Sequence, residues 1–188
     1  MSKPIVINFL LFQVGWFACV LGGAYAQPLL GSLIVMAVIA YHLYQAEKVK
    51  QEINLLILAL VIGFVFESLM TNMGLAKYSI GQFHPAIAPY WMIMMWPLFA
   101  TTLNVSMRWL KGLPLFLVAI IGGSLAPLAY LAGNKLGAVE YDNTFISLSV
   151  IALAWAVLFP GLVTASSRFN GFKQASDGVV RAGVTQHV

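Results

Sequence analysis

The feature that most limits what this chain can become is a set of six apolar stretches, each about as long as a bilayer is thick, separated by short polar connections. A hydrocarbon core about 30 Å thick is crossed by about 20 residues of helix rising 1.5 Å each. The stretches run Pro4 to Gly23, Pro28 to Tyr44, Ile53 to Thr71, Pro89 to Trp109, Pro114 to Asn134 and Phe145 to Ser166. Pro28, Pro89 and Pro114 fall in first-turn positions, where a missing N–H removes no intrahelical bond. With 61% hydrophobic and 9% charged residues, the 188-residue chain cannot cover a water-facing surface with polar groups. The pattern predicts an all-α, polytopic transmembrane bundle of six helices over residues 1–167, and it excludes a water-soluble enzyme.

Orientation follows from the cations. One side of the six spans holds Lys3, Lys48, Lys50, Arg108, Lys111, Arg168, Lys173 and Arg181, and the other only Lys77 and Lys135. The positive-inside rule then predicts that both termini are cytoplasmic. Tyr25, Tyr41, Tyr44, Tyr78, Tyr90, Trp91, Trp109, Tyr130 and Tyr141 lie near predicted helix ends and read as an interfacial aromatic belt. Ala24, Tyr25 and Ala26 imitate a signal-peptide cleavage site, but the apolar run before them is longer than a signal core, so the first helix is expected to be retained. Residues 168–188, polar with small side chains, read as a mobile cytoplasmic tail. The net charge of +4 is spread too thinly for a nucleic-acid surface, and no nucleic-acid partner is expected.

The informative residues are the polar ones that lipid should not tolerate. Glu67 is the one carboxylate inside a predicted span, about 21 Å along the helix from Ile53. A charged carboxylate there costs a few kcal/mol unless it is neutral, paired or wet. Gly63 and Thr71, four residues to either side, make a small and polar stripe that must face other helices. Glu67 is therefore a candidate proton-linked or ligand-binding group, or else a carboxyl hydrogen-bonded to Ser68, Thr71, Asn72 or a tyrosine. On the fourth span Tyr90, Met94, Pro97, Thr101, Asn104 and Arg108 share one helical face. With Asn8 and Asn54, Asn104 and Arg108 suggest a cytoplasm-facing polar pocket; interhelical glue is the alternative. Gln13, near mid-membrane on the first span, needs a hydrogen-bond partner. Asn8, Gly15, Cys19 and Gly22 on the first span, and Gly122, Ala126, Ala129 and Gly133 on the fifth, read as packing seams. Pro97, Pro127 and Pro160 inside the last three spans suggest local helix breaks of the kind transporters use.

Soluble-type catalytic motifs are missing, and His42, His84 and His187 are too few for a histidine-rich metal centre. No catalytic residue, metal or cofactor is assigned. The connection from Met73 to Ala88 reads as an interfacial turn or re-entrant hairpin, and if it dips inward His84 comes within reach of Glu67.

Three blocks carry a family likeness: NFLLFQVGWFACVLG at Asn8 to Gly22, APYWMIMMWPLFATTLNVSMRWL at Ala88 to Leu110, and GGSLAPLAYLAGNKLGA at Gly122 to Ala138. Together they resemble a bacterial, largely proteobacterial family of small polytopic inner-membrane proteins, domain-of-unknown-function family 2878. The resemblance implies a bacterial inner-membrane location and supplies no activity. Gene neighbourhoods of the family imply membrane-lipid modification, an association that explains no mechanism. The readings carried forward are an accessory or lipid-binding component in membrane-lipid modification or stress adaptation, a small proton-coupled secondary transporter, and a structural subunit of a membrane complex. Membrane lipids and a membrane-protein partner are the expected contacts. The candidate binding residues are Glu67, Asn104, Arg108, Tyr90, Trp91, Thr101, Asn8 and Gln13.

Overall fold

A computed structural model describes residues 3–172. Six α-helices follow one another: α1 Lys3–Ala24, α2 Pro28–Gln45, α3 Val49–Asn72, α4 Tyr90–Leu103, α5 Leu115–Lys135 and α6 Thr144–Arg168, with a 3₁₀ turn over Arg108–Gly112 between α4 and α5. All but α4 are long and apolar enough to cross a membrane. The chain is a helical membrane bundle, as its apolar pattern predicts. Its outer faces suit hydrocarbon, since Leu153 and Val157 on α6 are 72% and 73% exposed. A water-facing helix would put polar groups there.

α4 is the axis of the bundle. It packs against α1, α2, α3 and α6, and Trp91, Met92, Trp96 and the run from Ala100 to Leu103 are buried. α3 lies close against it because Gly63 has no side chain: a Cβ there would sit 2.2 Å from Cγ of Trp96. The stripe of small residues around Glu67 thus faces a helix, as its spacing requires.

α4 is shorter than the sequence pattern suggests. The predicted span ran to Trp109, whereas the helix stops at Leu103, and Asn104 and Arg108 lie beyond it on a turn and on the 3₁₀ segment. The cause is local competition for backbone carbonyls. The Thr101 and Thr102 hydroxyls donate to the carbonyls of Leu98 and Phe99, each at 2.6 Å, and the amides of Val105 and Met107 both turn back to Thr102. The six-residue stripe from Tyr90 to Arg108 is therefore not one helical face. Pro97, Pro127 and Pro160, by contrast, sit inside α4, α5 and α6 without interrupting them.

The 73–89 connection is a series of turns and bends, the turn being one of its two expected forms, and Lys77 in it makes an isolated antiparallel bridge with Glu140 in the α5–α6 connection. The tail read as mobile from residue 168 is seated at its start: Arg168 closes α6, Gly171 accepts from the amides of Glu47 and Lys48, and the Phe172 ring lies 5.0 Å from that of His42. Lys173, Arg181 and His187 lie outside the described residues.

Candidate functional site

Glu67 is fully buried on α3 and is caged by neutral donors from three other parts of the chain. Trp96 of α4 donates its indole N–H to Oε1 at 2.9 Å, Tyr130 of α5 donates its hydroxyl to the same oxygen, and Tyr78 of the 73–89 connection reaches Oε2 at 3.4 Å. Burial first, and then the facing carboxylate, raises the Tyr78 phenol well above its ordinary range. The connection does dip inward, but it brings Tyr78; His84 is exposed, with Nδ1 accepting from the Ala86 amide. Tyr78 and Tyr130 leave the predicted aromatic belt for the interior, whereas Tyr25, Tyr44 and Trp109 remain exposed as belt residues.

Beside this cage lies a partly open apolar cavity of about 280 Å³, lined by residues of α1, α4, α5 and α6. Its floor is α4 and its far wall α6, where Trp96 and Trp155 stack with ring centroids 4.9 Å apart. Gly122, Ala126, Ala129 and Gly133 of α5 all line it. The stripe expected to be a packing seam is thus chiefly the cavity's roof, although Gly122 also touches Phe159. Trp155 is 8% exposed, and its indole nitrogen is the buried side-chain polar atom among the described residues that lacks a hydrogen-bond partner.

A second buried acid lies at the opposite end of α3. Glu52 is fully buried in the first turn of the helix, which begins four residues before the predicted Ile53. Its carboxylate pairs with His42 Nε2 at 2.8 Å and accepts from Asn104 Nδ2 and the Gly171 amide, both at 2.6 Å. Asn104 also donates to the Phe169 carbonyl at 2.8 Å and accepts from Lys111, which donates to the Ser166 carbonyl as well. Burial lowers the Lys111 ammonium to about 8, against the opposing pull of Glu52 and helped by Arg108. The node ties together α2, α3, the end of α4 and the chain after α6.

The residues singled out from sequence fall into separate places. Asn104 finds the interhelical partner it needs in Glu52. Asn8 joins Thr101 and Ser106: its amide donates to the Thr101 carbonyl at 3.1 Å and its Oδ1 accepts from the Ser106 hydroxyl at 2.6 Å. Asn54 is exposed, and Arg108 is half-buried on the 3₁₀ turn, so Asn8, Asn54, Asn104 and Arg108 do not line one pocket. Trp91 is buried and donates to the Ile80 carbonyl at 3.1 Å, while Tyr90 is half-buried beside Phe83. Gln13 is half-buried on α1 and joins neither acid cluster. The sequence offers a tyrosine as a partner for Glu67, as Tyr78 and Tyr130 are, but does not single out either of them, nor Trp96, Trp155 or Glu52, as a site residue. Glu52 sits among Lys48, Lys50 and Gln51, where an acid reads as part of a solvated charge run; the orphan Asn104 was the signal that a partner existed.

The sequence pattern of a family described as "protein of unknown function (DUF2878)" matches residues 5–161. No curated protein and no solved structure matches the chain significantly.

Proposed function

We propose that this chain, which belongs to the DUF2878 family of unknown function, binds the apolar part of a membrane lipid in the cavity between α1 and α5. The observation that carries the reading is the cavity itself: apolar, lined by four helices of a membrane bundle, and partly open. An acyl or isoprenoid chain from the surrounding leaflet fills such a space without being drawn through water. The cavity carries no cation to hold a phosphate, so a charged head group stays outside it.

On this reading the protein is an accessory component of membrane-lipid modification or stress adaptation, in the inner membrane of a bacterium. The eight-to-two division of cations supports both termini in the cytoplasm; with that orientation the Glu52 node is on the cytoplasmic side and the Glu67 cage is nearer the outer leaflet. The test is native mass spectrometry of the full chain released from membranes. Ala129→Trp fills the cavity from an exposed position on α5. Co-purified lipid occupancy is expected to fall by about tenfold, equivalent to about 1.4 kcal/mol. Unchanged occupancy in a folded Ala129→Trp protein overturns the proposal.

A further inference from the structure

The polar corner of the cavity defines what kind of group it receives. Trp155 and Tyr130 both line the cavity. The Trp155 indole N–H is a donor without a partner on a residue more than nine-tenths buried. The Tyr130 hydroxyl donates its hydrogen bond to Glu67 and keeps its oxygen as an acceptor. The indole nitrogen lies within hydrogen-bonding range of the Tyr130 oxygen but off the geometry of a normal bond, so neither group satisfies the other. One donor and one acceptor, side by side at the edge of an apolar space, are together complementary to a single hydroxyl group. Such a group accepts from the indole and donates to the phenol oxygen.

Resting on the chain-binding reading, we infer that the cavity selects an uncharged lipid alcohol, its hydroxyl seated between Trp155 Nε1 and Tyr130 Oη. Other head groups fit less well for stated reasons. An ester or ketone satisfies the indole but gives Tyr130 nothing. A hydrocarbon satisfies neither, and a buried donor without an acceptor is penalised. A carboxylate accepts from the indole but has to bring its charge into an apolar space with no cation in its lining. The indole is held in place by its stack on Trp96 and by the Phe99 ring edge 5.3 Å away, so the donor is oriented before the ligand arrives.

The test uses the full chain in detergent with hexadecan-1-ol, methyl palmitate and hexadecane, each offered at the same concentration, with occupancy read by native mass spectrometry. The alcohol is expected to bind about tenfold more tightly than the ester or the alkane, and Trp155→Phe, which keeps a ring and removes the N–H, is expected to level the three. Equal binding of alcohol and ester to the unmodified protein overturns the inference, whether or not Trp155→Phe folds; so does a preference that survives in folded Trp155→Phe. The Ala129→Trp protein separates the two readings. If it excludes all three compounds while the unmodified protein binds them alike, chain binding stands and hydroxyl selection fails. If it leaves all three bound, both fail.

Discussion

Replacing Glu52 by alanine removes the acceptor on which His42, Asn104 and the Gly171 amide converge. Side-chain hydrogen bonds in membrane proteins contribute on average about 0.6 kcal/mol and at most about 1.7 kcal/mol, so three of them sum to roughly 2 to 5 kcal/mol. Glu52 is fully buried, so water does not replace the lost contacts without local opening. The expected loss for Glu52→Ala is therefore about 3 kcal/mol, measured by reversible unfolding in mixed micelles. Glu52→Gln keeps the shape and one acceptor oxygen and is expected to lose about half as much. The readout specific to this node is hydrogen exchange at the Gly171 amide. Freed from Glu52, it should exchange at least about tenfold faster, while amides in the middle of α3 change only as far as global stability does. A Glu52→Ala protein within about 0.5 kcal/mol of the unmodified one, with Gly171 still protected, would refute the argument that this buried acid fastens the chain after α6.

Gly63→Ala drives a methyl group to 2.2 Å from Trp96 Cγ, and overpacking of this kind is expected to cost about 1 to 3 kcal/mol, seen as a lower unfolding midpoint and a shifted tryptophan emission. Removing single donors from the Glu67 cage should follow their geometry: Trp96→Phe, which loses a 2.9 Å bond, should destabilise the fold more than Tyr78→Phe, which loses one of 3.4 Å, and the reverse order would show that the cage geometry does not govern stability. Lys111 supplies a pH test, since its folded value is about 8 while an unfolded lysine titrates near 10.5. Between those values the unfolded chain holds more protons than the folded one, so stability should rise with pH in that window. The rise should be smaller in Lys111→Met; an identical pH profile for the two proteins would count against the lowered value.

Much of the architecture follows from simple lengths and periods. Five of the six spans are plain from runs of about 20 apolar residues, and the inward face of Glu67 follows from Gly63 and Thr71 on the same side. The end of α4 is another matter. The spacing of Tyr90, Thr101, Asn104 and Arg108 suits a helix, but periodicity carries no information on whether threonine hydroxyls will take the carbonyls of Leu98 and Phe99. The candidate site is hidden for a related reason. Tyr78 and Tyr130 near helix ends look like belt residues, and only the fold shows that a loop and a helix bring them to one carboxylate. Small residues on α5 likewise have the same spacing whether they close a seam or make room for a cavity.

The two buried acids explain why there is a cavity at all. Glu52 and Glu67 lie on one buried stripe of α3 with Leu55, Leu56, Ala59, Gly63 and Met70, separated by about 22 Å of helix. At one end Glu52 gathers α2, the end of α4 and the chain after α6; at the other Glu67 gathers α4, α5 and the 73–89 connection. α5 packs closely along α6, and the Tyr130 bond to Glu67 joins it to α3. No hydrogen bond among the described residues joins α5 to α1, so the gap between them is held open by what lies behind it. Glu67 therefore has a mechanical role as well as a chemical one. By fixing Tyr130 it sets both the position of α5 beside the gap and the direction of the phenol oxygen at the cavity's polar corner, so a change at this carboxyl should alter cavity width and ligand selection together.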